Sequence, residues 1–147
     1  MTGKGARIAA ATARFQESGL DSRYLGYFDC FNRRLFYEAH EALEPLWLER
    51  RRGPEGAFYK GLIQLAGAFV HLQKGRLHPA AALFRLAGAN LGQCPETRDQ
   101  LDVLAARLVI QEWLSKLEAA DFTINPLDST RPPRLYLRGQ PPDDGGS

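Results

Sequence analysis

Residues 31–47 read Phe-Asn-Arg-Arg-Leu-Phe-Tyr-Glu-Ala-His-Glu-Ala-Leu-Glu-Pro-Leu-Trp. On a helix that advances 100° per residue, the apolar side chains here share one arc of about 120°: Leu35, Phe36, Ala39, Leu43, Leu46 and Trp47. His40 and Glu44 lie at the edge of that arc, and Tyr37 and Leu48 lie just past Glu44. The pattern predicts an amphipathic helix. Glu44 is the carboxylate that we expect to be most withdrawn from water.

The next apolar segment, residues 55–74, predicts a second helix, whose apolar side chains cover about 180° of its circumference. We therefore expect this helix to lie at the centre of the fold. Its polar residues Lys60, Gln64 and His71 fall within about 40° of one another. Glycine and alanine residues lie among them, and small residues permit close approach of another helix. This stripe predicts a contact seam that faces the polar edge of the preceding helix.

Helical periodicity extends over most of the chain, and strand patterns are scarce. The fold class predicted is all-α: a single-domain helical bundle of about five to six helices with an irregular C-terminal tail. Helices are expected near residues 5–17, 24–32, 35–51, 55–74, 79–91 and 97–119.

The bundle domain is expected to span residues 1–121, and an extended, partly disordered tail should follow over 122–147, because this part is rich in proline. Residues 139–147 are expected to be disordered. The apolar run Leu135-Tyr136-Leu137 could dock on the bundle or on a second subunit, and the sequence does not decide between them.

Composition excludes several classes of protein. With 147 residues, 44% of them hydrophobic, the chain fits one globular domain. No segment approaches the roughly 20 apolar residues of a membrane span, and the N-terminal segment lacks the apolar core of a secretory signal, so we expect a cytoplasmic protein. Cys30 and Cys94 are expected to be reduced thiols. The net charge of +2 does not favour nucleic acid, and the run Arg50 to Arg52 is typical of a solvated helix end.

The polar residues of the two central helices allow three interpretations. In the first, His40, Glu44 and His71 bind a divalent metal such as zinc, and Glu41 is the general base. Glu41 and Glu44 are then the catalytic candidates. The motif differs from the HExxH zinc signature because Glu44 replaces the second histidine.

In the second interpretation, the same groups form a buried hydrogen-bond network that fixes helix register without chemistry. Its members would be Tyr37, His40, Glu44, Lys60, Gln64 and His71. In the third, a buried glutamate and a histidine exchange protons with a small ligand in a metal-free pocket. The residues alone leave all three open.

Several motifs in this region occur together. They are Phe31-Asn32, Glu38-Ala39-His40-Glu41 with Glu44 and Trp47, and Gly61-Leu62-Ile63-Gln64 with His71 and Gly75. Jointly they resemble the domain-of-unknown-function family numbered 309, over roughly residues 25–95. The resemblance implies a compact helical bundle with no established biochemical role. Metal-dependent chemistry has been suspected for the family through its His and Glu residues, here His40, Glu41, Glu44 and His71.

The chain departs from the family pattern at Arg34, a turn position where the family often has glycine. A left-handed backbone would be strained there. Pro45, inside the predicted helix, removes one backbone hydrogen bond beside the proposed site.

Two functions follow from these patterns. The first hypothesis is a structural or interaction module, whose outward surfaces engage a protein partner or a second copy of the chain. The alternative is a metal-dependent hydrolase-like enzyme that uses His40, Glu44 and His71. No nucleophile, phosphate-binding loop or cofactor fingerprint accompanies the cluster, and this favours the module. Whether the protein is an enzyme stays open at the level of the sequence.

Overall fold

The computed structural model describes residues 19–139. The helix expected near residues 5–17 and the disorder expected beyond residue 139 lie outside this range. Within it the chain forms α1 (Ser22–Asn32), α2 (Phe36–Arg50), α3 (Gly56–Gln73), α4 (Leu77–Leu91) and α5 (Val103–Ala119), together with β1 (Thr97–Arg98), β2 (Leu101–Asp102) and a 3₁₀ turn at Pro126–Asp128. The all-α prediction is confirmed.

Helix α3 occupies the centre of the bundle, as its wide apolar surface predicts. Phe69 is fully buried and contacts aromatic rings of the four other described helices. Its ring centroid lies 5.8 Å from that of Phe31 on α1, 4.9 Å from Phe36 on α2, 5.3 Å from Phe84 on α4 and 4.9 Å from Trp113 on α5. Aromatic rings of this size contribute a large part of the apolar area that a small domain buries. The core is therefore organised around one side chain of the central helix.

The junction between α1 and α2 is a left-handed helix ending. Arg34 has a φ of 63°. Its N–H donates to the carbonyl of Phe31, and the N–H of Leu35 donates to the carbonyl of Cys30. This is the Schellman arrangement, in which the left-handed position is usually glycine. Helix α3 ends in the same way, with Gly75 at a φ of 70°. Because arginine occupies the position that glycine has in α3, the backbone at Arg34 is strained, as the sequence indicated.

Residues 97–102 correct the predicted start of the last helix. They form a β-hairpin in which Arg98 pairs with Leu101. Asp99 and Gln100 both have positive φ, as a two-residue type I′ turn requires. Helix α5 begins only after Asp102, whose carboxylate accepts a hydrogen bond from the N–H of Ala105 at 2.9 Å. This N-cap fixes the helix start six residues later than expected.

The C-terminal segment packs on the bundle as far as residue 139. The side chain of Asn32 both donates to the carbonyl of Leu135, at 2.8 Å, and accepts from its N–H, at 2.7 Å. Leu137 forms a bridge with Leu101, and both leucines are buried. Of the two docking sites that the sequence left open for this run, the structure shows the bundle.

Candidate functional site

His40 and Glu44 lie one turn apart on α2, with their Nε2 and Oε2 atoms 3.5 Å apart. The side chains are 31% and 48% exposed, respectively. The expectation that Glu44 is withdrawn from water is therefore wrong. Tyr37 and Leu48, which were to enclose it, are themselves 55% and 51% exposed. Within residues 19–139 no side chain packs over this edge of the helix closely enough to desolvate the carboxylate, so the contact between His40 and Glu44 is solvent-exposed and of small energetic value.

Lys60 contacts α2 through an aromatic ring. Its Nζ lies 4.3 Å from the centroid of the Trp47 ring. The guanidinium of Arg51 lies 5.9 Å from the same ring. Both contacts fall within the range of cation–π attraction. Trp47 thus holds two cations at the boundary between α2 and α3.

Gln64 is a buried residue of α3, and its Oε1 accepts a hydrogen bond of 2.7 Å from Nδ2 of Asn90 on α4. The glycine beside it marks the same contact, because a Cβ added at Gly61 would lie 2.9 Å from Leu91 Cδ2 and 3.3 Å from Asn90 Cβ. The predicted contact seam is therefore present, but it faces α4. The expectation that it faces the His40 and Glu44 edge of α2 is wrong.

Asn90 was missed by the sequence analysis. The signal was a lone amide in the small-residue segment Ala87-Gly88-Ala89-Asn90. Such a segment permits close helix approach, and the amide inside it then needs a partner. The periodicity of α3 shows which of its faces permits close packing, but it does not show which neighbouring helix packs there.

His71 lies in the last turn of α3. Its Nδ1 is enclosed and has no hydrogen-bond partner within residues 19–139. Burial lowers the pKa of His71 below its ordinary value, and the nearby charges of Arg76 and Lys74 lower it further. The Nδ1 of His40 is also enclosed without a partner in this part of the chain, while its ring stacks on Tyr37 at a centroid distance of 6.0 Å.

The predicted metal ligands do not assemble. Between residues 19 and 139 no group of three or more His, Cys, Asp or Glu side chains is placed to hold a metal ion. His40 and Glu44 form a pair on α2, and His71 does not join them as a third ligand. The described residues therefore do not fit the divalent metal of the first interpretation, and no chemistry is derived through it. The role of Glu41 as a general base stays a prediction.

The outer side of α2 carries a line of side chains with spacings of four, three, four and three residues. They are Tyr37, Glu41, Glu44, Leu48 and Arg51, and we refer to them as the α2 ridge. All but the half-buried Glu41 are exposed. This spacing keeps side chains on one face of a helix and is the spacing of a helix–helix seam.

Comparison with known proteins gives one match. The family described as Domain of unknown function (DUF309) matches residues 24–83. This match supports the resemblance seen in the sequence. The matched segment includes all of α2 and α3 and the first half of α4, so it contains the α2 ridge and Gln64 but ends before Asn90. Neither curated proteins nor solved structures gave a match to the chain.

Proposed function

We propose that this protein is a non-catalytic helical module in which the α2 ridge engages a protein partner. The observation that carries the proposal is the alignment of Tyr37 and Leu48. Both are more than half exposed, and they lie three turns apart on one line of the helix. Single exposed apolar residues are common on protein surfaces. Two that are aligned, with charged residues between them and an arginine against the Trp47 ring at one end, match the composition of an interface.

The charged neighbours of the line support this proposal. Arg51 lies at one end of the ridge and is held against Trp47. Arginine and aromatic residues are the types most enriched at interface hot spots. An arginine oriented by an aromatic ring loses less conformational entropy when a partner binds.

The remaining polar candidates are used inside the bundle. Gln64 bonds to Asn90, and Lys60 lies over Trp47. The first contact connects α3 to α4, and the second connects α3 to α2, the helix that carries the ridge. In this proposal the hydrogen bond between Gln64 and Asn90 is structural and the outer ridge is functional.

The proposal also places the module in the cytoplasm. Cys30 and Cys94 are not joined in a disulfide, and cytoplasmic proteins keep thiols reduced. As a separate finding, none of the helices between residues 19 and 139 is long and apolar enough to cross a membrane.

Thiol protection tests the function. In a Cys94→Ser background, Leu48→Cys introduces a thiol on the ridge, and Leu108→Cys introduces one at a leucine of similar exposure on α5 (57%). Each thiol is labelled with a maleimide in intact cells and in diluted purified protein. We expect labelling at position 48 to be severalfold slower in cells and labelling at position 108 to be unchanged. Equal rates at position 48 in the two settings would overturn the proposal.

A further inference from the structure

We propose that the partner of the α2 ridge is a second copy of this chain, paired antiparallel across a two-fold axis. This inference rests on the proposed function and adds the identity of the partner. It comes from the charge distribution along α2 and from the spacing of the ridge.

Helix α2 carries the acidic residues Glu38, Glu41 and Glu44 in its first two thirds, and the basic run Arg50 to Arg52 lies at its C-terminal end. Glu49 also lies at that end, but its carboxylate forms an ion pair with Arg23 of α1. A parallel pair of such helices would set acid against acid and base against base. An antiparallel pair sets the acidic part of each helix against the basic end of the other, and a two-fold axis forms this contact twice. The surface is therefore complementary to itself in one orientation only.

The spacing of the ridge selects a register. When the two-fold axis passes near residue 46 of both helices, Glu41 faces the partner's Arg51 and Glu44 faces the partner's Leu48. The methylene groups of Glu44 can then cover the leucine while its carboxylate stays in water. In the alternative register Tyr37 would face the partner's Leu48, but Glu41 would then face the partner's Glu44. Two such acidic contacts would repel, so charge favours the first register.

Sedimentation velocity on the purified full-length chain tests the proposal, at roughly 1 to 100 µM, where a weak homodimer passes from monomer to dimer. Four proteins are compared: the native chain, Arg51→Glu, Glu41→Arg, and the double variant Glu41→Arg/Arg51→Glu. Each single variant sets like charges opposite one another twice in the dimer, so we expect its dissociation constant to rise about tenfold or more. The double variant exchanges the two charges and should return to within about threefold of the native value.

Thermal unfolding of each variant monitored by circular dichroism shows that the fold is kept. A native chain that stays monomeric over the whole range overturns the second copy as partner, as does a double variant that dimerises no better than the single variants. If that monomer still shows protection at position 48 in cells, the partner is another protein, and the proposed function stands without this inference. If labelling at position 48 is equally slow in cells and in diluted purified protein, and deletion of residues 1–18 speeds it in both, the chain itself covers the ridge, and both proposals fail.

Discussion

The side-chain amide of Asn90 donates a hydrogen bond to Oε1 of Gln64, and this bond joins α4 to the central helix inside a seam of small residues. Gln64 is 9% exposed, so its oxygen has little access to water if the donor is removed. A buried acceptor left without a partner costs about 1–3 kcal/mol. We expect Asn90→Ala to lower the free energy of unfolding by about this amount in urea denaturation.

A double-mutant cycle separates the bond from the loss of packing. Gln64→Ala, Asn90→Ala and the double variant should show a coupling energy of at least about 0.5 kcal/mol, because either single change removes the same bond. Strictly additive effects would show that the two amides do not stabilise each other.

Close approach at Gly61 gives a second prediction, with a matched control on the facing helix. A methyl group at Gly61 would overlap Leu91 at 2.9 Å, whereas one at Gly88 would find Ile110 at an ordinary 3.6 Å. Gly61→Ala should therefore destabilise the fold by about 1–3 kcal/mol through overpacking. Gly88→Ala should stabilise it by about 0.5–1 kcal/mol through helix propensity. Thermal unfolding compares the two, and a stabilising Gly61→Ala would show that α3 and α4 are not in close contact.

Two of the Schellman endings, those at Arg34 and Gly75, predict opposite changes in stability: a gain when arginine is replaced by glycine and a loss when glycine is replaced by alanine. Arg34 is held at a positive φ that L-residues, unlike achiral glycine, occupy at a cost of about 1–2 kcal/mol. Glycine also raises the entropy of the unfolded chain, so Arg34→Gly should yield a net gain of about 0.5–1 kcal/mol. Gly75→Ala should cost about 1 kcal/mol, because the same conformation is then imposed on alanine. Chemical denaturation measures both, and a destabilising Arg34→Gly would mean that the arginine side chain makes a contact worth more than the strain.

His71 makes stability depend on pH in a defined direction. Burial lowers the pKa of its imidazole below 6.5 in the folded protein, so the unfolded chain takes up the proton at higher pH. The stability that neutral His71 contributes is present above pH 6.5 and is lost as the pH falls below that value towards the folded pKa. His71→Gln should therefore flatten the decline in unfolding free energy between pH 7 and pH 5. An NMR titration of His71 with a midpoint at or above 6.5 would contradict this.

The helices that could be anticipated were those with a strong apolar pattern. Residues 35–51 and 55–74 were expected to be helical, and α2 and α3 begin and end within one residue of these limits. Such long patterns determine helix type because burial of one face stabilises only that periodicity. The start of α5 was misplaced because the hairpin at Asp99 and Gln100 depends on two non-glycine residues with positive φ, which carry no strong turn signature.

The candidate site was harder to anticipate because it depends on which helices are neighbours. Gln64 was identified as a buried polar residue, but its partner Asn90 lies 26 positions away on a helix whose orientation a wheel diagram does not give. Glu44 was placed correctly on its helix, yet its burial depended on whether Tyr37 and Leu48 would be covered. Periodicity gives the direction of a side chain relative to its own helix, while burial is decided by tertiary packing.

Site-specific cross-linking at the α2 ridge tests whether this surface contacts another protein molecule in the cell. A photoreactive amino acid is introduced at position 48 of the full-length protein in its own cells, with the same replacement at position 108 as the control. We expect a covalent adduct with a discrete protein from position 48, no such adduct from position 108, and loss of the adduct when Arg51→Glu is added. Absence of any adduct from position 48, or equal adducts from both positions, would contradict the proposed function.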